Sequence, residues 1–197
     1  KKLKKFLKKE KITSVLIGPG AGSNKKTKKI TKLILKLVKY VVIDADALTC
    51  FKNDLKSFYK LLDKNKIITP HGVEFDKIFP KIKKNISNVN KVLEAIKITK
   101  SNILLKGPHT IIGSYNKKIA INYHASPELA VIGSGDVLSG LITSFVGEKK
   151  MKPFLAGCAA AWLHGDIAKK HKKGLIAEDI VHSIPFALKR LEKWKIY

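Results

Sequence analysis

The segment Gly133-Ser134-Gly135-Asp136-Val137-Leu138-Ser139-Gly140 opens an apolar helical stretch, and its residue types suit phosphate chemistry. Glycines at a helix start leave backbone N–H groups exposed. Those donors, with the positive end of the helix dipole, form an anion site. An aspartate among them can take a proton from a substrate hydroxyl while the N–H groups hold phosphate charge. The same residues also read as a plain helix start capped by Ser134 or Asp136. Small residues on both sides of Asp136 let a phosphate approach the backbone, and that tilts the reading toward chemistry.

Four strand ends carry further polar groups. They are Gly18-Pro19-Gly20-Ala21-Gly22, Asp44-Ala45-Asp46, Thr69-Pro70-His71 and Lys106-Gly107. In open α/β sheets ligands sit outside the carboxyl ends of the strands, so this convergence marks a site. Each residue also has a plain reading. His71 is either a substrate contact or a loop histidine that caps the helix near Gly72. Asp44 and Asp46 are either pocket-shaping carboxylates or turn acids at a helix start. Lys106 is a phosphate contact or a surface lysine. His164 reads as a packed helix residue and Trp162 as core.

The elements that must position these groups alternate. Apolar runs at Ser14 to Ile17, Tyr40 to Ile43, Ile67 to Thr69 and Ile103 to Leu105 read as buried strands. Helical periodicity covers Asn24 to Lys39, Leu55 to Leu62 and Val89 to Thr99. Thr110 to Gly113 and Ile119 to Tyr123 form a hairpin around Ser114-Tyr115-Asn116-Lys117. Helices follow at about Gly135 to Val146, Pro153 to His171 and Ala177 to Lys193. This order predicts an α/β fold with a mostly parallel central sheet and helices on both faces. Lys1 to Glu10 reads as an exposed amphipathic helix with Leu3, Phe6 and Leu7 on one side.

In order along the chain, these motifs resemble the ADP-dependent NAD(P)H-hydrate dehydratases of the ribokinase-like superfamily. The resemblance runs from about Gly18 to Gly165 and includes Val42-Ile43-Asp44-Ala45-Asp46-Ala47-Leu48, Glu74-Phe75 and Ala161-Trp162-Leu163-His164-Gly165. It implies a three-layer ribokinase-like fold. It implies ADP-driven removal of water from hydrated NADH and NADPH, giving AMP and phosphate. Asp136 would act as the base. Gly20, Gly22 and His71 would contact the hydrated dinucleotide. Lys106, Gly107, Pro108, His109 and Thr110 would line the nucleotide, with Gly133 and Gly135 holding the transferring phosphate. Mg²⁺ would accompany ADP, and Glu74 would orient His71 or serve that ion indirectly. A homo-oligomer and an epimerase domain or partner belong to the same expectation. The family carries a strand-helix-strand portion ahead of the Gly18 motif. Lys1 to Lys11 would supply only its last helix, so residues 1 to 197 read as one shortened domain whose sheet lacks strands. Two positions depart from the family pattern: no glycine immediately precedes Glu74, and Ile132 stands where a small residue is usual.

Composition narrows the alternatives. The 197 residues are 45% hydrophobic and 28% charged, ample for one core. The net charge of +25 invites a nucleic-acid reading, but the only arginine is Arg190 and the lysines spread along the whole chain. A sequence-reading surface would use the bidentate arginine fork. The charge instead suits anionic dinucleotides, and no nucleic-acid partner is expected. Cys50 and Cys158 form no CxxC or metal spacing, which predicts no protein-held metal and fits a reducing cytoplasm. No apolar run is long enough to span a membrane. A vitamin-precursor kinase of the same superfamily, and an inactive remnant of the dehydratase, stand as the competing functions.

Overall fold

The computed structural model of the chain describes residues 2–192. The elements run α1 (Lys2–Lys9), β1 (Ser14–Ile17), α2 (Lys25–Leu37), β2 (Tyr40–Ile43), α3 (Asp46–Thr49), α4 (Leu55–Tyr59), β3 (Lys66–Ile68), α5 (Gly72–Ile78), α6 (Asn88–Thr99) and β4 (Asn102–Leu105). They continue with β5 (Thr110–Gly113), β6 (Ile119–Asn122), a 3-10 turn (Pro127–Leu129), α7 (Ser134–Gly147), α8 (Pro153–His171) and α9 (Ala177–Glu192). The expected last residue of α9, Lys193, lies outside the described residues.

One sheet carries the strands in the order β1-β2-β3-β4-β5-β6. The first four are parallel, and β5 and β6 return antiparallel as the hairpin. Side chains alternate across it, as the pleat requires. Val41, Ile43, Ile68, Ile103 and Leu105 enter one apolar cluster with Phe51 from the turn after α3 and with Phe58, Phe75 and Ile96 from α4, α5 and α6. Val42, Ile67, Leu104 and Ile112 enter the other, with Leu141, Ile142, Ala156 and Ile167 from α7 and α8. This is the expected mostly parallel sheet between two helical layers. β1 lies at one edge of the sheet, and all four of its residues are half-buried.

Local chemistry sets the ends of the elements. Asn24 caps α2 by accepting from the N–H groups of Lys26 and Thr27. Leu55 to Leu62 holds a shorter helix than its periodicity suggests, because α4 ends at Tyr59 in overlapping turns. Trp162, expected in the core, is 38% exposed and stacks on His124 with ring centroids 5.2 Å apart. Its amphipathic ring covers a histidine at the surface instead of filling the interior.

A buried cation ties α2 to the sheet. Lys66 is 4% exposed, and its ammonium donates to the carbonyls of Val38 (3.3 Å) and Lys39 (3.0 Å) and to Asp63 Oδ2 (3.2 Å). It supplies a donor to carbonyls at and just past the end of α2, where the helix leaves acceptors without an intrahelical partner. Lys66→Met, which keeps the stem, is expected to cost about 2 kcal/mol through those orphaned acceptors. Urea titration checks this: the midpoint falls while the slope holds. A gain in stability would mean that desolvating the ammonium outweighs its bonds.

Candidate active site

The carboxyl ends of β1 to β4 bring most of the expected groups to one rim. Asp44 follows β2 directly and is 1% exposed. Its Oδ1 accepts from Lys106 Nζ at 2.8 Å, just past β4, and its Oδ2 accepts from Ser139 Oγ at 2.5 Å on α7. Asp46 opens α3, and its Oδ2 accepts from Gly22 N at 2.8 Å. The glycine loop, the β2 turn, the β4 end and α7 therefore form one connected constellation. His71 joins it through the backbone: an isolated parallel bridge pairs it with Lys106, whose N–H donates to the Pro70 carbonyl at 2.8 Å.

The histidine also fills the plain role open to it. His71 caps α5, accepting from Val73 N at 3.2 Å, while Glu74 Oε2 accepts from His71 N at 2.9 Å. Capping and ligand contact remain compatible, because the His71 side chain is 52% exposed. Glu74 thus meets the His71 backbone in a capping box.

At the mouth of α7 the cap is neither Ser134 nor Asp136. Gly133 takes the position in a left-handed conformation (φ 86°) with no side-chain cap. The N–H groups of Gly135 and Asp136 have no partner among the described residues. Lys106 Nζ lies 3.4 Å from where a Cβ on Gly135 would stand. Two unpaired N–H groups and an ammonium thus share one small space. Such an arrangement attracts phosphate. Asp136 is exposed and within the first turn of the helix.

A cavity of about 710 Å³ adjoins this mouth. Lys106, Gly107, Pro108, His109 and Thr110 line it together with Ser134, Gly135 and His164. Gly20, Gly22, His71, Gly133 and Asp136 do not, and stand outside that cavity. Sequence reasoning missed part of its wall. Asn122, Tyr123 and the Ser126-Pro127 turn also line it, and Gly165 holds that turn's approach: a Cβ there would lie 1.5 Å from the His124 carbonyl oxygen. A helical glycine between His164 and Asp166 was the only trace of this close approach.

His164 is packed, as its helical context suggested. It is 5% exposed, and its Nε2 lies 3.2 Å from Ser134 Oγ, beneath the glycine mouth. Burial lowers its pKa to about 4. An unfolded histidine takes its proton near pH 6.5, while the folded one stays neutral until about pH 4. The unfolded chain therefore binds more protons in that window, and this contribution to stability, on the order of 3 kcal/mol, is lost as pH falls through it. Urea midpoints at pH 7 and pH 4.5 should fall more steeply in the wild type than in His164→Gln. Equal falls would show that His164 protonates freely in the fold.

Burial also pushes the Cys50 and Cys158 thiols up to about 11, so neither is a ready nucleophile. Among the described residues no group of three or more His, Cys, Asp or Glu side chains is placed to hold a metal ion. No described helix is long and apolar enough to cross a membrane.

A mostly parallel sheet between two helical layers, with a glycine-aspartate helix mouth beside the strand ends, is the architecture of the ribokinase-like class of proteins. Residues 1–185 match the NAD(P)H-hydrate dehydratase family, and the chain belongs to it. It is 32% identical to the bifunctional NAD(P)H-hydrate repair enzyme of Dictyoglomus turgidum, over 90% of this chain and 35% of that protein. It is 30% identical to the ADP-dependent (S)-NAD(P)H-hydrate dehydratase of Neisseria meningitidis, over 94% of this chain and 66% of that one. The chain thus spans about a third of the first relative and just under two thirds of the second. Its backbone resembles that of the ADP/ATP-dependent NAD(P)H-hydrate dehydratase of Bacillus subtilis with a TM-score of 0.74, at 24% identity, covering 90% of this chain and 66% of that one. That likeness speaks to the fold alone.

Proposed function

We propose that the chain carries out the ADP-dependent dehydration of hydrated NADH and NADPH. The observation that carries this reading is the α7 mouth: free N–H groups of Gly135 and Asp136, with Lys106 beside them and a nucleotide-sized cavity alongside. Family membership supplies the substrate class.

The hydrated ring bears a hydroxyl, and hydroxide leaves poorly. Asp136 takes the hydroxyl proton as the oxygen attacks the terminal phosphorus of ADP. The bond from that phosphorus to the bridging oxygen breaks, and AMP departs. The Gly133 to Asp136 backbone and Lys106 hold the charge that develops on the transferring group. The ring nitrogen's lone pair then expels phosphate. Loss of a proton from the neighbouring ring carbon restores the dihydronicotinamide.

Gly20 and Gly22, with His71, take the dinucleotide in this reading. Lys106 to Thr110 take the adenine nucleotide. Mg²⁺ enters this reading as a companion of the nucleotide phosphates. Both cysteines are free, which fits a reducing compartment such as the cytoplasm.

The test supplies the chain with hydrated NADH and either ADP or ATP, each with Mg²⁺, and follows the return of dihydronicotinamide absorbance. Turnover that yields phosphate and AMP in equal amounts from ADP supports the reading, and turnover that yields phosphate and ADP from ATP alone would make ATP the donor. Phosphorylation of a vitamin-precursor alcohol without dehydration would replace it with the kinase. Nucleotide binding without either reaction would mark a remnant.

A further inference from the structure

Asp44 has more partners than a turn acid needs. Its Oδ1 accepts from its neighbour Ala45 N (2.9 Å) and from Lys106 Nζ (2.8 Å), and its Oδ2 accepts from Ser139 Oγ (2.5 Å). Ser139 also lies 3.4 Å from Thr69 Oγ1, which is 3.3 Å from the Ile43 carbonyl. All of Asp44, Thr69 and Ser139 are buried. One buried carboxylate thus joins the ends of β2 and β4 to α7, one turn beyond Asp136.

The geometry around Lys106 needs such a group. Its ammonium stands against the positive end of α7, close to Gly135. Cation and helix N-terminus repel one another. Unrestrained, the flexible lysine would leave the mouth for solvent. Asp44 takes one of its three donors, and the other two have no partner among the described residues. Backbone strain marks the same place. Ala45 holds φ 45° and ψ −121°, a conformation that a residue with a Cβ keeps only when its surroundings impose it. That turn lets Asp46 reach Gly22 while Asp44 reaches Lys106.

We propose that Asp44 is a positioning residue that pins the Lys106 ammonium to the α7 mouth and, through Ser139, fixes the helix that carries Asp136. The ligand it prepares for is the terminal phosphate of the nucleotide, so this inference rests on the function proposed above.

The test measures Mg·ADP affinity by calorimetry and ADP-driven turnover for wild type, Asp44→Asn, Lys106→Met, the double variant and Ser139→Ala. Each of the first two single changes should weaken ADP about ten- to a hundred-fold, the scale of one charge-assisted contact. The double variant should bind no worse than Lys106→Met alone, because Asp44 acts through the lysine. Lys106→Met should also lower the melting temperature by stranding a buried carboxylate, and the double variant should recover part of that loss. Ser139→Ala leaves the ion pair intact and should lower turnover by more than it weakens ADP, because it loosens the helix that carries both Asp136 and the mouth N–H groups. It carries the test if Asp44→Asn does not fold.

Multiplying losses in the double variant would overturn the proposal, and so would unchanged affinity in Asp44→Asn. A raised Mg²⁺ requirement in Asp44→Asn with no coupling to Lys106 would overturn it too, in favour of a cation ligand. A wild type that neither binds ADP nor turns over would sink the functional reading first, and this proposal with it. The melting cycle would still report whether Asp44 and Lys106 are coupled.

Discussion

Replacing Asp136 by Asn is expected to lower ADP-driven turnover by about a thousand-fold, within the range that a positioned general base contributes. Nucleotide affinity should stay within about three-fold, because the phosphate donors are backbone N–H groups and Lys106, which the change leaves in place. The fold should barely respond. Asp136 is exposed, its side chain makes no hydrogen bond among the described residues, and it caps nothing. What the fold loses is a favourable charge near a helix N-terminus, about 0.5 kcal/mol. Single-turnover measurement with saturating ADP and hydrated NADH separates the two effects. A loss confined to ADP affinity would assign Asp136 to ligand holding. Turnover within ten-fold of wild type would remove it from the chemistry, and the assignment of the α7 mouth as the reacting centre would go with it.

The glycine-aspartate segment was legible as a helix start with small residues on both sides of Asp136, but the same residues also allowed a cap by Ser134 or Asp136, and only the structure shows the start uncapped. Its partner Ser139 was not legible. A serine in an apolar helix reads as a tolerated polar residue, and only the packing of α7 on β2 brings it to Asp44. The strands followed from short apolar runs and the main helices from their periodicity, since both signals are local. Trp162 did not, because whether an aromatic is buried depends on what lies opposite, here His124 from the far end of β6. The 122 to 130 wall of the cavity was missed for the same reason. Its position depends on Gly165 admitting the His124 backbone, a contact between residues 41 apart. His71 shows the reverse case. A cap near Gly72 was one of the two readings open to it, and the structure puts that cap beside the site, so one residue answers both to the helix and to the rim.

The glycine loop divides in the same way, and Gly18→Ala tests the division. Gly20 and Gly22 drew attention as places for close substrate approach. Both have positive φ (62° and 72°), but a Cβ at Gly20 would meet nothing within 4 Å, and one at Gly22 only the flexible Asn24 side chain, at 3.0 Å. Gly18 is the position that the fold itself requires. Its φ is 133°, and a Cβ would lie 1.7 Å from the Asp44 carbonyl oxygen and 2.7 Å from the carbonyl carbon. These are backbone atoms, so no rotamer change relieves the clash; β1 and β2 must separate where they carry the site. Strain of that kind adds to the overpacking cost, and the sum is expected to be about 3 kcal/mol or more. Because the displaced atoms belong to Asp44, any folded Gly18→Ala protein should also lose most of its ADP-driven turnover. Gly20→Ala should cost only about 1 kcal/mol, the ordinary penalty for a left-handed alanine. Any larger fall in its activity would then come from the approach of the dinucleotide. Denaturation and turnover measured on both variants decide this. A Gly18→Ala protein as stable as Gly20→Ala would show that β1 and the Asp44 turn are not in contact, and the rim built on them would not exist.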